Sequence, residues 1–85
     1  MCSYVVEKTA VTGSAKAAGN WTPITTAVVA VDHPFHASVD HALIVDFSNA
    51  GRPVSERVAV ELSVASARDL IVCMQTALDA FGEGA

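Results

Sequence analysis

Positive charge is scarce in this 85-residue sequence: five lysines and arginines stand against nine acidic residues, for a formal net charge of −4. The five cations are scattered along the chain, which leaves nucleic-acid binding without an electrostatic footprint. Cysteine is rarer still. Cys2 lies at the amino end and Cys73 inside a helical pattern; two such residues cannot build a disulfide framework, so a reduced, cytoplasmic protein is expected. No apolar run approaches the ~20 residues that span a bilayer, so no membrane partner is expected. No basic segment followed by an apolar core opens the chain, and no secretory signal is expected either.

Apolar side chains, by contrast, are abundant, at 52% of the sequence with only 16% charged. Eighty-five residues make one small domain, 1–85, and a domain of this size buries a modest fraction of its surface. An apolar excess in such a chain has to be hidden, and a homodimer or higher homo-oligomer is the natural way to hide it.

Four segments read as strands. Residues 3–11 mix β-branched and polar residues at near period two, and 25–32, "TTAVVAVD", form a second β-rich run closed by His33-Pro34. Residues 40–48 and 56–62 follow as the third and fourth, with Asn49 to Pro53 as the turn between them. Between the first two strands, Thr12 to Asn20 carries two glycines among small residues and reads as a loop.

After Leu62 the period changes. Ser63 is placed to cap a helix, Ala67, Leu70, Ile71, Met74, Leu78 and Phe81 fall on one stripe, and Gly82 suits the left-handed position that ends it. The fold class is therefore α+β: a four-stranded antiparallel sheet with one C-terminal helix packed on one face (ββββα). Strand two is apolar on both sides, and one helix covers only one, so the second face is expected to bury itself in a dimer.

All three histidines stand in one stretch, "DHPFHASVDH", from Asp32 to His41. His33, His36 and His41 have the spacing H-x2-H-x4-H across a turn. Imidazoles from one short segment converge on an ion if the turn folds back on itself, and they suit a divalent transition metal: zinc first, with copper, nickel and iron as alternatives. Asp32 and Asp40 each precede a histidine and are candidate hydrogen-bond acceptors for the ring N–H groups, or candidate ligands. Cys2 is the candidate fourth ligand, since a thiolate completes a set suited to zinc. The alternative is that these are ordinary turn histidines and that Cys2 begins a strand as a small apolar residue.

Other features carry less chemistry. Residues 12–20 with Lys16 could cradle an anion through backbone N–H groups, but they lack the order of a phosphate-binding loop and read as a hairpin connection. Trp21 reads as a core lid or interface anchor, Cys73 as a buried inert thiol. Asp46 and Glu61 are expected to pair with Arg57 or Lys8. No serine, histidine and acid stand in the arrangement of a hydrolytic triad.

Met1-Cys2-Ser3-Tyr4, Gly13-Ser14-Ala15-Lys16 with Trp21, Asp32-His33-Pro34-Phe35-His36-Ala37, His41-Ala42-Leu43 and Arg57 to Leu62 ahead of Ser66-Ala67-Arg68 together give the chain a likeness over nearly its whole length. It resembles a family of small uncharacterised actinobacterial proteins, a domain of unknown function. The resemblance implies a bacterial source and no activity.

Two expectations follow. One is a small metal-binding protein with a site built from His33, His36, His41 and Cys2, with catalysis on a small-molecule ligand left open. The other is a non-catalytic homodimeric structural or protein-interaction module.

Overall fold

The computed structural model describes residues 5–17, 19–34, 39–53 and 56–82. Four strands, β1 (Val5–Ala17), β2 (Asn20–Asp32), β3 (Ala42–Ser48) and β4 (Val58–Ser63), precede one helix, α1 (Val64–Phe81). The strands lie in chain order, each antiparallel to the next. This is the expected ββββα arrangement.

Two strands are longer than the sequence pattern indicates. Residues 12–17 do not form a loop; they continue β1 and pair with the first half of β2, from Gly13↔Ile24 to Ala17↔Asn20. The register shifts between Ala10 and Gly13, and such an irregularity breaks the two-residue alternation while the ladder carries on beyond it. The ladder runs as far as Ala17↔Asn20, and Gly19, next to Asn20, adopts φ 83°, a conformation that tight hairpins demand and that glycine takes without strain. Strand β3 pairs only with Thr26 to Asp32, so the outer half of the β1–β2 hairpin extends past the β3 ladder. Trp21, in that outer half, is 67% exposed and is no core lid.

The register sorts the sheet into two faces, because directly paired residues share a side. One face is built of rows such as Val5–Val31–Leu43–Leu62 and Glu7–Val29–Val45–Val60. The other carries Val6–Ala30–Ile44–Glu61 and Lys8–Val28–Asp46–Ala59. Neither is sealed. Among the described residues the buried apolar side chains are Ala27, Ala42 and Ala67, and no large side chain is fully buried.

Helix α1 begins and ends as the sequence indicates. The Ser63 Oγ accepts the Ser66 N–H at 3.1 Å, and Gly82, at φ 87°, returns its N–H to the Asp79 carbonyl. Its packing is slighter than the stripe suggests. The helix meets β3 and β4, yet Ala67 is its one buried residue, while Leu70, Ile71, Met74, Leu78 and Phe81 are 45–68% exposed. The connection explains this. Ser63 is both the last residue of β4 and the helix cap, and no loop intervenes, whereas folding a helix back over its own sheet takes a connection of about 2–6 residues. No described helix is long and apolar enough to cross a membrane.

Candidate functional site

The histidine turn springs from a buried corner of the sheet. Asp32, which ends β2, is 6% exposed, and Ala42, which begins β3, is fully buried. Ala42 pairs with Asp32 on one side and with Ser63, the cap of α1, on the other. Turn, sheet and helix start therefore meet at one point.

Pro34 ends β2 chemically, since it brings no backbone donor and biases His33 away from helical backbone. Asp32 Oδ1 accepts the His33 backbone N–H at 2.7 Å, so this carboxylate shapes the chain and is not directed only at a ring. His33 Nδ1–H donates to the Asp40 carbonyl oxygen at 3.1 Å. A carbonyl only accepts, so in the uncharged ring the proton sits on Nδ1 and the lone pair on Nε2. It is thus the backbone of Asp40, and not its carboxylate, that orients a histidine. The ring of His41 lies against that of His33, centroids 5.2 Å apart and planes 27° from parallel. Asp32, His33, His41 and Glu61 each take part in a further interaction.

Of the four ligands expected from sequence, the structure brings His33 and His41 together. His36 and Cys2 lie outside the described residues. Among the described residues, no three histidine, cysteine, aspartate or glutamate side chains gather so as to hold a metal ion.

A second polar region was only partly legible in the sequence. Lys8, Thr26, Ser48, Arg52 and Arg57 line an open cleft of about 360 Å³. Three cations around one cleft would suit an anion, but two are already engaged: Arg57 with Asp46 at 3.1 Å and Arg52 with Glu56 at 2.9 Å. The first of these is a pairing the sequence suggested. Asp46 Oδ1 is buried without a hydrogen-bond partner. Glu56 also accepts from the buried Thr22 hydroxyl at 2.7 Å, and this bond, followed by the contact with Arg52, holds its carboxyl below the usual carboxylate range. Asn49 Nδ2 donates to the Pro23 carbonyl at 3.2 Å. Together these contacts clasp the β3–β4 turn to the outer half of β2, which is a structural task.

The anion cradle considered around Lys16 is corrected by the ladder. Residues 13–17 pair with β2 as part of an extended edge strand, and extended backbone does not form the concave nest of an anion site. Cys73 is likewise corrected: its thiol is free and exposed, because the helix face around it meets no neighbour among the described residues.

No curated protein and no solved structure matches this sequence. One family model does, over residues 1–85, and the chain belongs to that family, a family of unknown function (DUF6295).

Proposed function

We propose that this chain is a small metal-binding protein whose ion is held by His33 and His41, with His36 and Cys2 as the candidates that complete the set. The observation that carries the reading is the pair itself: the turn returns on itself so that two imidazoles meet, and one is fixed by an Nδ1–H bond to a backbone carbonyl. That bond is the usual support of a metal-ligating histidine, since it sets the tautomer and leaves the other nitrogen as the donor atom. Two imidazoles sharing a tetrahedral ion at about 2.0–2.1 Å hold their centroids roughly 5 Å apart, which matches the separation seen. Imidazoles with a thiolate favour zinc, ahead of copper, nickel or iron.

The number of protein ligands decides what the ion does. With three, a water fills the open position and loses its proton more readily, the chemistry of a metal-dependent enzyme acting on a small molecule. With four, the ion is structural, and a chain with so small a core gains folding free energy from it. The setting we propose is the cytoplasm, supported by the free thiol of Cys73, in an actinobacterium, supported by the family resemblance.

Equilibrium dialysis against zinc tests the reading. The native chain is expected to take up about one ion, and His33→Ala/His41→Ala to lose it while keeping its circular dichroism. Stoichiometric zinc retained by the double variant would overturn the proposal.

A second reading has its own observation. The Val31–Leu43–Leu62 and Val29–Val45–Val60 rows lie on a sheet face with no fully buried large side chain among the described residues. A non-catalytic interaction module would use that face, and the ring contact and the His33–Asp40 bond would then only lock the turn.

A further inference from the structure

The clasp at the β3–β4 turn engages each arginine through Nε. Arg57 Nε lies 3.1 Å from Asp46 Oδ2, and the other oxygen of that carboxylate is buried without a hydrogen-bond partner. Arg52 Nε lies 2.9 Å from Glu56 Oε1, and the same oxygen also accepts the Thr22 hydroxyl. A two-point pairing of guanidinium and carboxylate would occupy both oxygens. Here it does not form, and the Nη groups of both arginines make no hydrogen bond among the described residues. Both side chains are about half exposed, Arg52 at 47% and Arg57 at 52%.

The sheet beneath them offers further donors. Thr26 and Ser48 pair directly across β2 and β3. They stand two residues along from the Lys8–Val28–Asp46 row and so on the same side of the sheet. Both are half-buried, and neither hydroxyl has a partner among the described residues. The Lys8 ammonium, on the edge strand β1, has none among them either. These groups line one open cleft of about 360 Å³, and Val28, Ala50 and Pro53 supply its apolar part.

We propose that this cleft binds a small organic monocarboxylate, with the carboxylate oxygens between Lys8 and the Nη groups of Arg57 and the apolar body against Val28 and Pro53. The proposal rests on no metal.

Three features select this class of ligand. The first is the kind of hydrogen bond on offer. Ammonium and guanidinium groups only donate, and hydroxyls donate as well as accept. Asp46 Oδ1 is buried and out of a ligand's reach, so the ligand has to supply acceptors.

The second is charge. Lys8, Arg52 and Arg57 stand against the carboxylates of Asp46 and Glu56, which leaves a single positive charge. A monoanion balances it, whereas a phosphate dianion would exceed it.

The third is lining. The cleft falls within the roughly 300–1,000 Å³ of small-molecule sites. A bare inorganic anion gains nothing from Val28, Ala50 and Pro53, while an organic acid buries its body there.

The test is an NMR titration of the full, isotope-labelled chain. Benzoate and 3-methylbutanoate serve as the carboxylates, benzyl alcohol as the uncharged counterpart and inorganic phosphate as the bare anion. Both carboxylates are expected to shift the Thr26, Ser48 and Arg57 signals saturably in the millimolar range, as suits ligands of this size. Benzyl alcohol and phosphate should bind at least tenfold more weakly. Lys8→Ala should weaken benzoate binding about fivefold or more, and Lys16→Ala, outside the cleft, should leave it unchanged. Arg57→Lys keeps the charge but lacks the guanidinium fork, and should weaken binding to a similar extent.

No saturable shift at the cleft with either carboxylate would overturn the proposal. So would benzoate binding that Lys8→Ala leaves intact, or benzyl alcohol binding as tightly as benzoate. Phosphate binding as tightly as benzoate would overturn the assignment to organic acids. Should a variant fail to fold, the native chain still decides: benzoate affinity should fall severalfold as sodium chloride is raised, because salt screens exposed charges. Affinity independent of salt would contradict the role of Lys8 and Arg57.

Discussion

The imidazole rings of His33 and His41 meet across the turn that separates β2 from β3, 5.2 Å between centroids, and the Nδ1–H of His33 is tied to the carbonyl of Asp40. One bond thereby orients a ring and closes the turn. Removing either imidazole should lower zinc affinity by about 100-fold or more, since even the partners behind metal ligands are typically worth 10–100-fold. Competition against a chromophoric chelator measures this. Affinity should also fall on acidification, because protons compete with the metal for the ring nitrogens. Unchanged affinity in both single variants would remove the site.

Asp32 supports that turn from beneath. Its Oδ1 accepts the His33 N–H at 2.7 Å from a position 6% exposed. Asp32→Ala leaves that donor without its partner and should destabilise the fold by about 1–3 kcal/mol. Asp32→Asn retains an acceptor oxygen and should recover part of the loss. Urea unfolding of the two variants checks the order.

The Thr22–Glu56–Arg52 clasp has a pH signature. The Thr22 hydroxyl, and then Arg52, hold the Glu56 carboxyl below its ordinary range. A depressed folded value means that the clasp stabilises fully above the pKa of the unfolded chain and is lost as the pH falls through the folded one. In Thr22→Val the Glu56 titration should move up towards the ordinary carboxylate range, and the pH-dependent stability from this group should become smaller, its acid loss ending at higher pH. Carboxyl chemical shifts followed through a pH titration read this directly. An unmoved Glu56 midpoint would show that the hydroxyl is not the main cause.

Both helix ends should be measurable separately. Ser63→Ala removes the acceptor for Ser66 N–H and should cost about 1 kcal/mol. Gly82→Ala meets no atom within 4 Å, so its cost is purely that of the left-handed backbone at φ 87°, about 1–2 kcal/mol. Denaturant midpoints with constant slopes would give both values.

The contrast between helix and hairpin shows what a sequence pattern carries. Ser63, the three- and four-residue spacing and Gly82 are local signals, and the helix obeys all three. Residues 12–17 carry a loop signal because the register shift and Gly13 interrupt alternation where the ladder continues; pairing is a property of two strands, and only the partner reveals it. The stripe of α1 identifies an apolar face without saying what covers it. That depends on the absence of a linker after Ser63. At the histidine turn, the nearness of His33 and His41 was foreseeable from Pro34 and the turn between them. The choice of the Asp40 carbonyl over the Asp40 carboxylate was not, because backbone direction at a turn depends on geometry and not on residue type. The Thr22–Glu56 bond joins residues 34 apart and left no local trace.

Metal content by mass spectrometry, on protein purified with an untagged amino end, decides whether His33 and His41 hold an ion. About one zinc, or another transition metal, per chain is expected, lost on acidification and absent from His33→Ala/His41→Ala. A folded chain that is metal-free as isolated, and takes up none of zinc, copper, nickel or iron when offered them, would contradict it.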